Sequence, residues 1–153
     1  MSRALVALLA LIATVCGGTR VDLATEDRRP VAIRTDEGTI DLTVLVADDA
    51  DERRTGLMGR ETLEPVDGMA FVYAEPTEGS FWMKDTLIPL SIAFWDDRGR
   101  IVEILDMDPC EAEPCPSYGP GVAFVGALEL AQGAFEEHGI EVGDRVELAE
   151  SPS

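Results

Sequence analysis

The chain reads as all-β: a single-domain sandwich or closed barrel of about eight or nine short, mainly antiparallel strands with one or two short helices. Three observations predict this. Short runs rich in β-branched and aromatic residues recur between Val31 and Leu148. Gly, Pro or Asp clusters bound nearly every run, as hairpin turns require. Helical patterning is confined to two brief stretches, near Asp49–Gly56 and Gln132–His138.

Taken in order, residues 1–18 follow the secretory pattern. Arg3 supplies a basic start, and Ala4 to Val15 form an apolar run without charge. That run is shorter than the ~20 residues that span a bilayer comfortably, and it ends at Cys16-Gly17-Gly18, so a signal peptide is expected rather than a membrane helix. Cys16 stands where a lipoprotein signal places its lipidated cysteine, and Ala13 and Thr14 suit the preceding positions, although Val15 is bulkier than the usual residue there. Release after cleavage nearby and an uncleaved anchor are the alternatives; lipidation is preferred. The expected location is outside the cytoplasm, in the envelope or beyond it. Membrane contact is expected only through lipid on Cys16 or through the leader.

Residues 19–29 are polar, charged and aperiodic, a tether. The β domain then occupies 30–150. Val31 to Arg34 leads through the turn Thr35-Asp36-Glu37-Gly38 into Thr39 to Ala47, which places Ile40, Leu42, Val44 and Val46 on one face of a hairpin. Asp48 to Arg54 is acidic first and basic later, suiting a short helix and its dipole. Met69 to Tyr73, Phe81 to Lys84, Ile92 to Trp95 and Ile101 to Leu105 read as strands, with Asp96-Asp97-Arg98-Gly99 as a turn. Ala123 to Leu130 is another strand, Gln132 to His138 one or two helical turns closed by Gly139, and Arg145 to Leu148 the last strand.

Composition narrows the function. Hydrophobic residues make up 46 % of the chain, enough for a real core, and the net charge is −18. Such an excess of acid opposes duplex nucleic acid and anionic lipid as partners, because association would add repulsion. A single histidine, His138, and no Gly-x-Ser-x-Gly elbow disfavour a serine relay. No phosphate-cradling glycine loop and no zinc-spaced ligand set is present. Met58, Met69, Met83 and Met107 sit among apolar neighbours and read as core filling rather than soft-metal ligands. Neither cofactor nor metal is expected.

Three cysteines leave one odd thiol. Cys110 and Cys115 lie in a proline-stiffened loop, and pairing them leaves Cys16 for lipid or removal. So short a loop supplies only about 2 kcal/mol in the chain-entropy model. Zinc is the rival, but a closed site wants four N or S ligands. The disulfide is preferred.

The chain has eleven arginines and one lysine, Lys84, inside Phe81-Trp82-Met83-Lys84-Asp85-Thr86. In a strand Trp82 and Lys84 would share a face, an aromatic plate beside an amine. That pairing suits a polar or anionic ligand. Taken alone, the plainer reading is preferred, that Lys84 snorkels at the rim and pairs with a carboxylate.

Three strings add a resemblance. Arg54-Thr55-Gly56-Leu57-Met58-Gly59-Arg60, the stretch from Phe81-Trp82-Met83-Lys84 to Ile88-Pro89-Leu90, and Ala127-Leu128-Glu129-Leu130, with Asp67-Gly68-Met69-Ala70-Phe71-Val72-Tyr73 between the first two, together resemble the domain of unknown function 192 family over about residues 31–148. Asp85 stands where that family usually has Asn, and Ser91 where it usually has Asp. The resemblance implies an all-β fold and exported or lipid-anchored members, and it brings no reaction. It also implies that the three strings meet, gathering Arg60, Trp82, Lys84, Asp85 and Glu129 at one ligand-binding site. The alternative is that Arg60, Lys84, Asp85 and Glu129 form a structural charge network. Three functions stay open: a small-ligand-binding module, which leads; an enzyme using Lys84 as nucleophile or general base, for which a lowered amine pKa would be needed; and a structural envelope protein.

Overall fold

The computed structural model describes residues 26–150. The leader, most of the tether and Cys16 lie outside the described residues. Nine strands and two short helices follow one another as β1 (Arg28–Thr35), β2 (Gly38–Ala47), α1 (Ala50–Thr55), β3 (Gly68–Thr77), β4 (Phe81–Trp82), β5 (Leu90–Trp95), β6 (Ile101–Met107), β7 (Ser117–Tyr118), β8 (Phe124–Ala131), α2 (Ala134–Glu137) and β9 (Arg145–Leu148). A seven-stranded sheet runs in the order β6-β5-β8-β3-β2-β1-β9, and β4 pairs with β7 in a small second sheet. Every pairing is antiparallel except β2 with β3, whose crossover carries α1.

The expected hairpin forms in register, with Val31 opposite Leu42 and Ile33 opposite Ile40. Thr35 Oγ1 accepts the N–H groups of Glu37 and Gly38, each at 3.2 Å, and holds the turn. The helix α1 starts on a capping box: Asp49 Oδ1 accepts from the Asp51 and Glu52 amides at 2.8 Å, and the Glu52 carboxylate reaches back to the Asp49 amide. Such a cap contributes about 1 kcal/mol, which matters for a helix that buries no side chain.

The large sheet bends until its outermost strands touch at one corner. Arg100 and Arg145 form a single bridge there, and the Ile101 amide donates to Asp144 O at 2.8 Å. The rest of the two edges stays unpaired, so the fold is sandwich-like rather than a closed barrel. Inside the bend lies one core, built on Val31, Ile33, Leu42, Val44, Val46, Leu128 and Val146. The alternation expected for β2 is therefore observed, with Leu45 and Ala47 turned to the opposite face. That face carries a second core of Phe71, Phe94, Phe124, Met69, Met83 and Met107, covered by the segment after α1 and by β4. Three of the four methionines in the domain are thus core filling. β5 is buried along its whole length because both its faces are covered.

Two glycines are required by close approach. A Cβ on Gly68 would sit 1.9 Å from Glu129 O across the β3–β8 ladder, and one on Gly126 would sit 2.0 Å from the Trp95 ring. Trp95 lies over the bare backbone of Gly126, its register partner.

Two local expectations are corrected. The stretch Phe81 to Lys84 is strand only through Trp82, after which Lys84 and Asp85 turn away. Asp85 is left with φ 54°, the one non-glycine residue at positive φ among the described residues. The short β7 was not expected, since Ser117-Tyr118 sits in a proline-rich loop with no alternation to mark it.

Candidate functional site

The second core reaches the surface at a narrow crevice. Its rim is formed by the end of α1 and the following Gly56-Leu57-Met58-Gly59 turn on one side and by β4 on the other. The two sides are tied together: the Gly59 amide donates to Asp85 O at 2.8 Å, and Leu57 and Met83 anchor both loops in the core. Phe71 and Phe81 meet edge to face with centroids 4.9 Å apart in the wall. Trp82, half exposed at 51 %, stands at the mouth. The space open to the centre of a water-sized group is about 30 Å³, so the crevice is small.

Glu129 is in the floor. It lies on β8, opposite Met69 of β3 and Ile92 of β5, so its side chain rises through the centre of the sheet into the second core. The residue is 5 % exposed, and among the described residues its carboxyl has no ion pair and no hydrogen bond. Burial pushes its pKa up to about 8, which makes it a neutral acid at pH 7.

The surrounding donors explain this isolation. Arg53 Nη1 donates to Asp48 O at 2.6 Å and to Val72 O at 2.9 Å, with the guanidinium 4.9 Å from the Tyr73 ring centre. Arg54 is held by the Asp51 carboxylate. The Thr55 hydroxyl donates to Asp51 O, and that of Thr86 to Lys84 O. The side chains of Arg53, Arg54, Thr55 and Thr86 in the crevice lining each donate to the protein's own oxygens. Tyr73 borders the same region: burial raises its pKa, Arg53 opposes the rise and the Glu129 charge adds to it.

Lys84 sits outside the crevice, against the disulfide loop. Cys110 and Cys115 are bonded, with Cα atoms 5.4 Å apart, and the loop between them carries Glu113. Lys84 Nζ lies 3.0 Å from Glu113 Oε1 and 5.5 Å from the centre of the Trp82 ring. Glu113 raises the lysine's pKa, the opposite of what an activated amine needs. The plainer reading of Lys84, a rim lysine paired with a carboxylate, matches this geometry.

The expected residues thus separate into three places. Trp82 and Glu129 share the crevice, Lys84 and Asp85 flank it beside the disulfide loop, and Arg60 is turned elsewhere. Arg60 pairs with Glu26 in a different pocket, lined also by Leu45 and Met69. Arg60, Lys84, Asp85 and Glu129 therefore do not form one charge network. Ser91, buried on β5, donates its hydroxyl to its cross-strand partner Asp106 and accepts the Gly133 amide at 2.9 Å. Asp106 on the neighbouring strand thus sets a carboxylate beside position 91, and the Ser91 hydroxyl itself serves the Gly133 amide before α2. Sequence reasoning missed Phe71, Arg53 and Glu113. The first is one aromatic in an apolar run; Glu113 is one of two acids between the cysteines and nothing local distinguishes it from Glu111.

The bent sheet, the second core and the crevice define an all-β sandwich-like domain with a buried acid, Glu129, at a surface opening. Residues 31–148 match the family DUF192, described as an uncharacterized ACR, and the chain belongs to that family. Among solved structures it is similar to a Sinorhizobium meliloti 1021 protein provisionally described as a transcription regulator, at 33% identity and TM-score 0.72, covering 80% of this chain and 95% of that one. A protein of unknown function from Novosphingobium aromaticivorans DSM 12444 is similar at 30% identity and TM-score 0.69, covering 77% and 83%. No curated protein matches the chain significantly.

Proposed function

We propose that the domain is a small-ligand-binding module whose site is the crevice between the Gly56–Gly59 turn and Trp82. One observation carries the reading: Glu129, only 5 % exposed, has a carboxyl that no side chain or backbone group of the described residues pairs with, and it lines an opening together with the exposed Trp82. A buried polar group without a partner costs stability. A ligand that enters and hydrogen-bonds it recovers that cost, and the indole adds a stacking surface. An enzyme built on Lys84 has less support, since that amine is paired and its pKa raised. Direct contact with duplex DNA, the role the description of the Sinorhizobium relative would suggest, is opposed by a net charge of −18.

The test is a thermal-shift panel of small polyols, carboxylates and amines on wild type and Trp82→Ala. One class should raise the midpoint of wild type, and Trp82→Ala should reduce that rise. A panel that leaves wild type unmoved overturns the reading.

We also propose export with loss of residues 1–18, or of the part before a lipidated Cys16, on the strength of the Arg3 to Cys16 pattern. Intact mass of the native protein should show a chain beginning between Cys16 and Thr19. A cytosolic product retaining Met1 contradicts it.

A further inference from the structure

The donors around the crevice constrain the chemistry of what enters it. We propose that its ligand is a small monocarboxylate, whose head passes Trp82 and lies between the Glu129 carboxyl and the Arg53 guanidinium. The inference rests on the ligand-binding reading and names the class of ligand.

Three observations point the same way. First, Arg53 keeps an uncancelled charge. The chain has 30 acidic residues against 12 basic ones, yet among the described residues this half-buried guanidinium forms no ion pair. Its Nη1 donates to the main-chain oxygens of Asp48 and Val72, and the group lies against the Tyr73 ring. A guanidinium carries several N–H donors in a planar fork that matches a carboxylate, and these two bonds use one nitrogen. Second, the lining is rich in donors. Arg54 adds a guanidinium, although Asp51 holds it, and the Trp82 indole N–H has no hydrogen bond among the described residues. The Glu129 carboxyl, protonated at pH 7, adds an O–H. Such a lining calls for a head that only accepts, and a carboxylate does. Third, oxygens that would repel an anion are covered. The Thr55 hydroxyl and the Gly56 amide donate to Asp51 O and Glu52 O at the end of α1, and the Thr86 hydroxyl donates to Lys84 O. The net charge of −18 repels an anion from afar, but physiological salt screens that repulsion beyond about 8 Å, and Arg53 lies in the wall itself. The space is small, so the carboxylate enters head first and its tail stays against the indole.

The proton balance follows. A carboxylate beside an ionised Glu129 would set two like charges together, so the ligand selects the protonated acid. At pH 7 Glu129 already holds its proton; at pH 9 it is largely ionised and takes one from solvent as the ligand binds. The other charged and titratable groups of the crevice and its border are Arg53 and Arg54 from α1 and Tyr73 from β3. β5 sets Ile92 beside Glu129, and β4 brings Phe81 and Trp82, none of which titrates. Arginine does not titrate between pH 7 and pH 9, and the Tyr73 pKa is raised from 10.0, so Glu129 is the group that changes.

The experiment is isothermal calorimetry of the full-length protein with sodium propionate and propionamide, in buffers of different ionisation enthalpy at pH 7 and pH 9. Propionate should bind saturably at pH 7 and about tenfold more weakly at pH 9, because the protonated fraction of an acid titrating near 8 falls about tenfold between those values. At pH 9 its binding should take up close to one proton. Propionamide, of the same shape without the charge, should bind about tenfold more weakly at pH 7, the worth of one charge-assisted hydrogen bond. Glu129→Gln should weaken binding a few-fold at pH 7 and abolish both the proton uptake and the pH dependence. Trp82→Phe, an exposed change that keeps a ring and removes the N–H, should weaken binding several-fold. Arg53→Met should cost about tenfold or more, with circular dichroism checking its fold; if it does not fold, the other two variants decide. Propionamide binding as tightly as propionate overturns the carboxylate, and so does a propionate affinity equal at pH 7 and pH 9. Binding of neither, with a thermal shift from a polyol or an amine, overturns the inference and leaves the site standing. Binding of neither, together with an unresponsive thermal-shift panel, overturns the site itself.

Discussion

Replacing Glu129 by Gln turns the isolation of its carboxyl into a measurable pH dependence of stability. An acid whose folded-state pKa lies above its unfolded value holds its proton more tightly in the folded chain. Its protonation therefore supports the fold fully below about pH 4.5, and that support is lost as pH rises towards about 8. At ~1.4 kcal/mol per unit the whole effect is bounded near 5 kcal/mol, and the part falling between pH 6 and 9 is about 2–3 kcal/mol. Gln cannot ionise and occupies nearly the same volume. Wild type should thus lose about 2–3 kcal/mol more than Glu129→Gln between pH 6 and pH 9. Urea denaturation followed by tryptophan emission across that range gives both curves, and their difference cancels the repulsion common to two acidic chains. Parallel curves would refute the reasoning. A wild type that gains on the variant with rising pH would mean that a cation faces Glu129 after all.

Gly68→Ala should cost about 3 kcal/mol or more, because its Cβ meets the backbone oxygen of Glu129 at 1.9 Å and a ladder oxygen has nowhere to go. Gly126→Ala should cost less, about 1–3 kcal/mol, because the obstacle is the Trp95 side chain, and near-ultraviolet circular dichroism should report the displaced indole. Asp85→Ala should cost about 1 kcal/mol at φ 54°, with Asp85→Asn close to neutral in the same denaturation assay. Replacing both Cys110 and Cys115 by Ser should cost about 2 kcal/mol and, by loosening Glu113, let the Lys84 pKa fall back towards 10.5. The single lysine makes that titration readable as one side-chain resonance in carbon NMR of the reductively methylated protein.

Much of the architecture was legible from residue order because it depends on local rules. The alternation of Leu42, Val44 and Val46 placed one face of β2 in a core. The acids before Arg53 and Arg54 marked a short helix, and Gly, Pro and Asp clusters marked the turns. The pairing of Cys110 with Cys115 followed from an odd count and a short stiff loop. What could not be read was which distant groups meet. A strand pattern in Phe81-Trp82-Met83-Lys84 carries no sign that the ladder stops at Trp82, because β4 has only the short β7 to pair with. Arg60, Lys84, Asp85 and Glu129 looked alike as charges set among apolar residues. Tertiary packing gave Glu26 to Arg60 and Glu113 to Lys84, and gave Glu129 nothing. The cause is physical. Hydrophobic periodicity repeats every two or four residues and is stored locally, whereas the solvation and pairing of a charge depend on groups that only folding brings within a few ångströms.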